Sequence, residues 1–191
     1  MSSPSSIVLA SASPRRQELL RNAGIDFVVQ PADIREEPFE GEAPIAFAER
    51  MAREKAQRVL STDHSNRTIL AADTVVSLGP LILGKPVDND DAARMLQLLS
   101  GRRHLVTTAV CLVRDGFEDV RSETTAVDFA PLAPNDVREY VSTGEPMDKA
   151  GAYAIQGLAS RWITKIEGDY YNVVGLPVDL VWRMLREGNL L

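Results

Sequence analysis

The hydrophobic residues of the chain follow two repeats that alternate along its length. Short apolar or β-branched runs predict strands beginning at residue 7 and at 27–30, 68–78, 105–113, 119–129 and 162–166. Apolar residues spaced three or four apart predict helices at 14–23, 44–60, about 89–100, 135–143 and about 178–186. Because strands and helices alternate, the pattern indicates an α/β fold.

The two long strands at 105–113 and 119–129 are joined around Asp115 and Gly116, and an Asp-Gly pair is a strong hairpin signal. A hairpin makes neighbouring strands antiparallel, so a mixed, partly antiparallel sheet flanked by helices is predicted. The chain has 191 residues and no internal repeat, low-complexity tract or clear linker. We therefore expect one domain over residues 1–191.

Composition narrows the class of protein. Hydrophobic residues make up 45% of the chain and charged residues 25%, which is ordinary for a soluble globular protein. The net charge of −6 argues against general binding to nucleic acid, and no apolar run reaches the ~20 residues that span a bilayer. Cys111 is the single cysteine, which excludes an intrachain disulfide and indicates a reducing compartment. Residues 1–6 lack the features of a signal peptide, so we expect a cytoplasmic protein without a membrane or nucleic-acid partner.

The first predicted helix has its positive charges at the unfavourable end. Ser13 is a good N-cap, Pro14 suits the first helical position, and Arg15 and Arg16 then lie in the first turn. Each arginine opposes the helix dipole at a cost of about 0.3–1 kcal/mol. Free N–H groups, the hydroxyls of Ser11 and Ser13 and two guanidinium groups together suit an anion, best a phosphate. The alternative is a solvated helix start with two surface arginines.

Two lysines and an aspartate also occupy unusual positions. Lys55 lies four residues from both Met51 and Val59, on or beside the buried face of its helix, so it either extends to the edge of that face or points into a cleft. Asp73 interrupts a β-branched, apolar strand, where a carboxylate needs a partner unless it marks the solvent-facing end. Lys85 lies in a turn fixed by its neighbouring glycine and proline.

Three further residues join these cations: Asp73, Glu36 in an acidic loop, and Gln156 after a run of small residues. The whole set suits chemistry on a polyphosphate. Cations neutralise phosphate charge, and carboxylates hold Mg²⁺ or Mn²⁺ or orient water. The sequence contains no GxxxxGK[ST] loop, no GxGxxG after a strand and no Gly-x-Ser-x-Gly elbow. The residues alone therefore indicate an enzyme that acts on a phosphorylated metabolite.

Six motifs in order then identify a family. They are Leu9-Ala-Ser-Ala-Ser-Pro-Arg-Arg16, Arg53-Glu-Lys-Ala56, Ala72-Asp-Thr-Val75, Gly84-Lys-Pro86, Asp148-Lys-Ala-Gly-Ala-Tyr-Ala-Ile-Gln-Gly157 and Val173-Val-Gly-Leu-Pro177. Each motif is weak alone, but the ordered set covers nearly the whole chain. It resembles the Maf family of nucleoside triphosphate pyrophosphatases.

The resemblance implies a Maf/Ham1-like α/β fold of two lobes with the nucleotide in a central cleft, often as a homodimer. It implies metal-dependent hydrolysis of a nucleoside triphosphate to the monophosphate and pyrophosphate, with Mg²⁺ or Mn²⁺ as cofactor. Asp73 would accept a proton from water or serve the metal, and Glu36 would help to bind the metal or orient the water. The resemblance assigns the triphosphate to Ser11, Arg15, Arg16, Lys55 and Lys85.

The form of the segment from Lys149 to Gly157 resembles the branch that acts on dTTP and UTP, whereas a sister branch prefers 7-methyl-GTP. The resemblance places specificity at Arg16, Thr74 and Gln156. The amide of Gln156 can donate and accept, which matches the O4 and N3–H edge of a pyrimidine; the alternative is an amide that satisfies loop backbone. Besides 7-methyl-GTP hydrolysis, a nucleotide-sensing regulator of septum formation with little turnover stays open, and so does the removal of modified pyrimidine nucleotides.

Overall fold

The computed structural model describes residues 7–62, 67–114 and 116–190. Its strands are β1 (Ile7–Leu9), β2 (Phe27–Val29), β3 (Ile69–Leu78), β4 (Leu81–Leu83), β5 (Arg103–Arg114), β6 (Phe117–Phe129) and β7 (Ile163–Glu167). Its helices are α1 (Pro14–Asn22), α2 (Pro44–Leu60), α3 (Asn89–Leu99), α4 (Pro134–Ser142), α5 (Tyr170–Val174) and α6 (Val178–Glu187). The strands form one sheet in the order β2-β1-β3-β5-β6-β7, and β4 pairs with β3.

The sheet is mixed, as predicted. Strand β1 runs parallel to β2 and β3, whereas β3, β5, β6 and β7 pair antiparallel in turn. The β5–β6 hairpin is longer than the sequence indicates, because its pairing continues to Arg114 opposite Phe117. Asp115 of the hairpin signal and residues 1–6 lie outside the described residues.

Helices cover β3 on both faces, which explains its nearly continuous apolar run. Strand residues Val8, Ile69 and Ala71 pack with the apolar side of α2, including Met51. Leu70 and other residues of the opposite face pack with α1 and α6. Asp73 thus lies in the middle of a central strand, so the alternative that it marks a solvent-facing end is wrong.

The segment of small residues before Gln156 contains 3₁₀ turns at Glu145–Asp148 and Ala150–Ala152. Gly151 has φ +69°, and a Cβ on it would lie 2.9 Å from the Val76 side chain of β3. The small residues therefore let this segment pass close to the central strand. No helix of the described residues is both long enough and apolar enough to cross a membrane.

The hydrophobic pattern does not separate helix α5 from helix α6, whereas the structure shows two helices divided by Gly175. Asn172 of α5 is fully buried, and the side-chain amide accepts from the N–H of Thr108 and donates to the carbonyl of Val106. The amide therefore bonds to β5 as a neighbouring strand would. This anchorage fixes the loop that follows α5, which ends in the cavity described next.

Candidate active site

The predicted site residues line one cavity of about 780 Å³. It lies between the β1–α1 connection, the acidic loop after β2, the middle of β3, the turn after β4, residues 147–156 and the end of α5. The residues that the structure brings together here are Ser11, Arg15, Arg16, Glu36, Lys55, Asp73, Thr74, Lys85 and Gln156. Segments far apart in sequence thus supply one cleft.

The helix start at one wall of the cavity has the predicted cap. The Ser13 side chain accepts from the Arg16 backbone N–H, and Pro14 begins α1. The Ser11 hydroxyl accepts from the Ser13 N–H at 3.2 Å and from Arg16 Nη1 at 3.1 Å. A hydroxyl has a single proton, so with both acceptor positions used Ser11 can still donate to a ligand oxygen.

The two neighbouring arginines have different surroundings. The Arg16 guanidinium donates from Nε to the Gly175 carbonyl at 2.8 Å and from Nη2 to Thr74 Oγ1 at 3.0 Å, besides its bond to Ser11. Burial lowers the pKa of Arg16 despite the nearby Asp73 carboxylate. Among the described residues, Arg15 makes only a loose 3.6 Å ion pair with Asp148. Arg16 therefore joins three segments of the site, while Arg15 is the more available cation.

A lysine and two carboxylates form the polar centre of the cavity. Lys55 Nζ lies 2.5 Å from Asp73 Oδ1 and 2.6 Å from Glu36 Oε1. Lys55 and Asp73 are each 7% exposed, so Lys55 points into the cleft rather than to the edge of its helix. Lys85 Nζ donates to the other Glu36 oxygen at 3.0 Å.

The two carboxylates differ in basicity although they share Lys55. Burial raises the pKa of Asp73, and this effect outweighs the attraction of Lys55. Burial also acts to raise the pKa of Glu36, but the charges and hydrogen bonds of Lys55 and Lys85 lower it to about 2. Asp73 is therefore the better proton acceptor, and Glu36 remains anionic at neutral pH.

The donor set fits a hard divalent cation. The Asp73 and Glu36 oxygens flank one atom, Lys55 Nζ, and Mg²⁺ is commonly bound by one or two carboxylates together with substrate phosphates and water. Within the described ranges there is no group of three or more His, Cys, Asp or Glu residues that could hold a metal.

Sequence reasoning missed several residues that line the same cavity. Lys149 is largely buried, donates to the Glu145 carbonyl at 3.3 Å and pairs with Asp148. Tyr153 is buried, and its hydroxyl lies 2.9 Å from His104 Nε2. Lys149 stands in the quoted small-residue motif and could have been grouped with the other cations, whereas nothing in the pattern marks Tyr153 as a wall of the site.

Comparison with known proteins places the chain in a family. The family model described as Maf-like protein matches residues 6–188. A dTTP/UTP pyrophosphatase of Koribacter versatilis (strain Ellin345) is 51% identical over 185 residues, which is 97% of this chain and 95% of that protein.

A second relative, a dTTP/UTP pyrophosphatase of Thermococcus gammatolerans, is 48% identical over 182 residues, 95% of this chain and 96% of that protein. A solved structure of the Staphylococcus aureus Ham1 protein aligns over 96% of this chain and 99% of its own, with 14% identity and a TM-score of 0.48. The family match and these full-length relatives establish that the chain belongs to the Maf family.

Proposed function

We propose that the protein hydrolyses dTTP and UTP to the nucleoside monophosphate and pyrophosphate, with a divalent cation as cofactor. The observation that carries the proposal is the buried Lys55, held between Glu36 and Asp73 in a cavity bordered by the Ser11–Arg16 helix start. Relatives that are about half identical and align over nearly their full length carry the name dTTP/UTP pyrophosphatase.

The cationic side of the cavity suits the triphosphate. The Ser11 hydroxyl and the first turn of α1 present donors at a helix N-terminus, and Arg15 adds a guanidinium. Lys55 and Lys85 donate to carboxylates, and a phosphate would compete with these carboxylates for ammonium groups that face the cavity. In an acidic protein this local set of cations attracts the polyphosphate.

Asp73 supplies the base. Its carboxylate accepts a proton from water as the water oxygen attacks the α-phosphorus, the bond to the bridging oxygen breaks, and pyrophosphate leaves with the electron pair. Glu36, together with Asp73, would hold the metal. When bound, a Mg²⁺ or Mn²⁺ ion would neutralise phosphate charge and lower the pKa of water. Lys55 keeps the two carboxylates apart and offsets their repulsion.

Gln156, Thr74 and Arg16 serve base selection. The Gln156 amide lines the cavity and, within the described chain, makes no side-chain hydrogen bond, so its donor and acceptor are available for thymine or uracil. Arg16 acts on base selection through Thr74, whose hydroxyl it binds and so orients. The proposal includes a cytoplasmic homodimer that acts in clearing pyrimidine nucleotides, modified ones among them, in connection with arrest of cell division.

A substrate panel tests the reaction. Purified protein with Mg²⁺ or Mn²⁺ is given dTTP, UTP, dCTP, GTP and 7-methyl-GTP, and both pyrophosphate and orthophosphate are measured. We expect pyrophosphate from dTTP and UTP. Orthophosphate would mean attack at the terminal phosphorus, faster turnover of 7-methyl-GTP would move the chain to the sister branch, and tight binding without turnover would make it a sensor.

A further inference from the structure

The turn that carries Gln156 is held at both ends by hydrogen bonds from outside the cavity. Within the turn, the Gly157 N–H donates to the Ala154 carbonyl at 3.1 Å. The Ala154 N–H at one end and the Leu158 N–H at the other point away from this turn and donate to side chains. The position of the Gln156 backbone therefore depends on those two acceptors.

The acceptors belong to a bonded pair, Tyr140 and Glu145. The Tyr140 hydroxyl accepts from the Ala154 N–H at 3.1 Å and donates to Glu145 Oε1 at 2.8 Å. The same carboxylate accepts from the Leu158 N–H at 3.0 Å and 3.3 Å. Burial raises the pKa of Tyr140, so the phenol keeps the proton that it donates. The four groups thus form one chain of hydrogen bonds across the turn.

The contact between Glu145 and the turn is close. A Cβ on Gly157 would lie 2.1 Å from Glu145 Oε1 and 2.5 Å from its carboxyl carbon. Gly157 has φ −103°, which any residue can adopt, so a Cβ here would act by displacing the Glu145 carboxyl group and not by straining the backbone. The carboxylate is therefore packed directly on the backbone next to Gln156.

The pair is anchored in the body of the protein and does not line the cavity. Tyr140 lies on α4, is fully buried and packs edge-on against Trp162, with 5.2 Å between ring centroids. Glu145 begins the following 3₁₀ turn, where its N–H donates to Thr143 Oγ1 at 3.2 Å. Rigid supports of this kind limit the places that a functional side chain can reach.

We propose that Tyr140 and Glu145 are positioning residues that set the discrimination between bases by fixing the turn that presents Gln156. The inference rests on the proposed function, in which Gln156 reads the base. Thymine offers an acceptor at O4 and a donor at N3, whereas cytosine offers the reverse. A turn held at both ends keeps the Gln156 amide within hydrogen-bonding distance of the O4 and N3–H edge of thymine, whereas a loosened turn weakens this pairing and with it the preference for thymine.

The test compares kcat/KM for dTTP with kcat/KM for dCTP. Tyr140→Phe keeps the ring and removes the hydroxyl, and Gly157→Ala displaces the Glu145 carboxylate by its new methyl group. We expect each variant to lower the dTTP/dCTP ratio about tenfold, mainly through a higher KM for dTTP with kcat changed less than threefold. Ser142→Ala is the matched control and should keep the wild-type ratio, because it removes a hydroxyl on α4 whose one partner in the described part of the chain is the Glu139 carbonyl.

A double-mutant cycle separates this role from general loosening of the fold. Adding Tyr140→Phe to Gln156→Ala should leave the ratio of the single Gln156→Ala variant unchanged, because the pair acts only through Gln156. If Tyr140→Phe lowers the ratio by the same factor with and without Gln156→Ala, the inference is overturned. An unchanged ratio in folded Tyr140→Phe and folded Gly157→Ala would overturn it as well. Either result leaves the proposed reaction standing. If Gln156→Ala itself keeps the ratio, the reading of the base by Gln156 fails and the inference with it. Thermal unfolding curves identify any variant that fails to fold, in which case the other single variant decides.

Discussion

At the scale of single residues, the site works by giving chemically equal groups unequal surroundings. Asp73 and Glu36 are both carboxylates bound to Lys55, yet burial makes Asp73 more basic while two lysines keep Glu36 ionised. Arg15 and Arg16 are adjacent in sequence, yet Arg16 is bonded to three protein groups and Arg15 is largely available. The sequence predicts which residues meet in the cavity, but the division of roles depends on burial and partners.

Because the two carboxylates differ in basicity, substitutions of Asp73 and Glu36 should have different kinetic effects. Asp73→Asn keeps the shape of the side chain but removes the proposed proton acceptor, so we expect kcat for dTTP to fall by about 10²–10⁴. Glu36→Gln leaves that acceptor in place and removes a proposed ligand of the cation, so its main effect should be a higher Mg²⁺ concentration for half-maximal rate. Rates measured across a Mg²⁺ titration check both. Equal losses of kcat at saturating Mg²⁺ would contradict the separation of roles.

His104 predicts a pH dependence of stability that is independent of the reaction. Burial lowers the pKa of His104 to about 4, while the unfolded chain binds this proton near pH 6.5. The contribution of the neutral imidazole to the free energy of unfolding is therefore complete above pH 6.5. As the pH falls towards 4, protonation in the unfolded state lowers the free energy of unfolding by roughly 2–3 kcal/mol. Urea unfolding between pH 7 and 4 measures the slope. His104→Gln keeps a partner for Tyr153, and it should show a shallower slope; an unchanged slope would assign the loss to other groups.

At the scale of elements, periodicity predicts what is long and regular. Helix α2 begins and ends at the predicted residues 44 and 60, and β3 differs from its prediction by one residue. Helix α5 and the 3₁₀ turns are too short for any periodicity, and their positions depend on contacts such as those of Asn172 and Gly151. Tyr140 and Glu145 were missed because they bind backbone N–H groups, which no sequence pattern records.

Contacts with helix α2 hold the acidic loop that carries Glu36 in place. Arg50 on α2 bonds both Glu42 oxygens, at 2.7 Å and 2.6 Å, and the Glu37 carbonyl at 2.9 Å. Its guanidinium also lies 3.9 Å from the centre of the Phe39 ring. Because these contacts hold the loop against α2, they also hold Glu36 beside Lys55.

Arg50→Ala should therefore act on Glu36 at a distance. We expect KM for the Mg²⁺–dTTP complex to rise about five- to tenfold, with a smaller change in kcat, because Asp73, the proposed base, lies on β3 and is unaffected. Arg53→Ala is the matched control, since Arg53 lies on the same helix and pairs with Glu118 instead of the loop. Steady-state kinetics of both variants measure the effect, and an equal rise in KM for Arg53→Ala would contradict this role of Arg50.

At the scale of the whole molecule, the cavity couples ligand binding to the stability of the fold. Its walls come from both ends of the chain, from Ser11 near the start to Gly175 near α6, and from the central strand between them. A ligand that binds only the folded state stabilises it by about 2.7 kcal/mol at 100 times its Kd. For a chain of this length that corresponds to roughly 5–10 °C in Tm.

We therefore expect a dTTP analogue with a non-hydrolysable α,β-linkage to raise Tm by several degrees in the presence of Mg²⁺. The shift should largely disappear with EDTA, because the phosphates and carboxylates then repel each other without a shared cation. Inorganic tripolyphosphate with Mg²⁺ lacks the base and should give a smaller shift. Differential scanning calorimetry of the three mixtures measures these shifts in Tm. An equal shift with EDTA would show that the lysines and arginines alone hold the triphosphate, and that Glu36 and Asp73 do not need a metal to bind it.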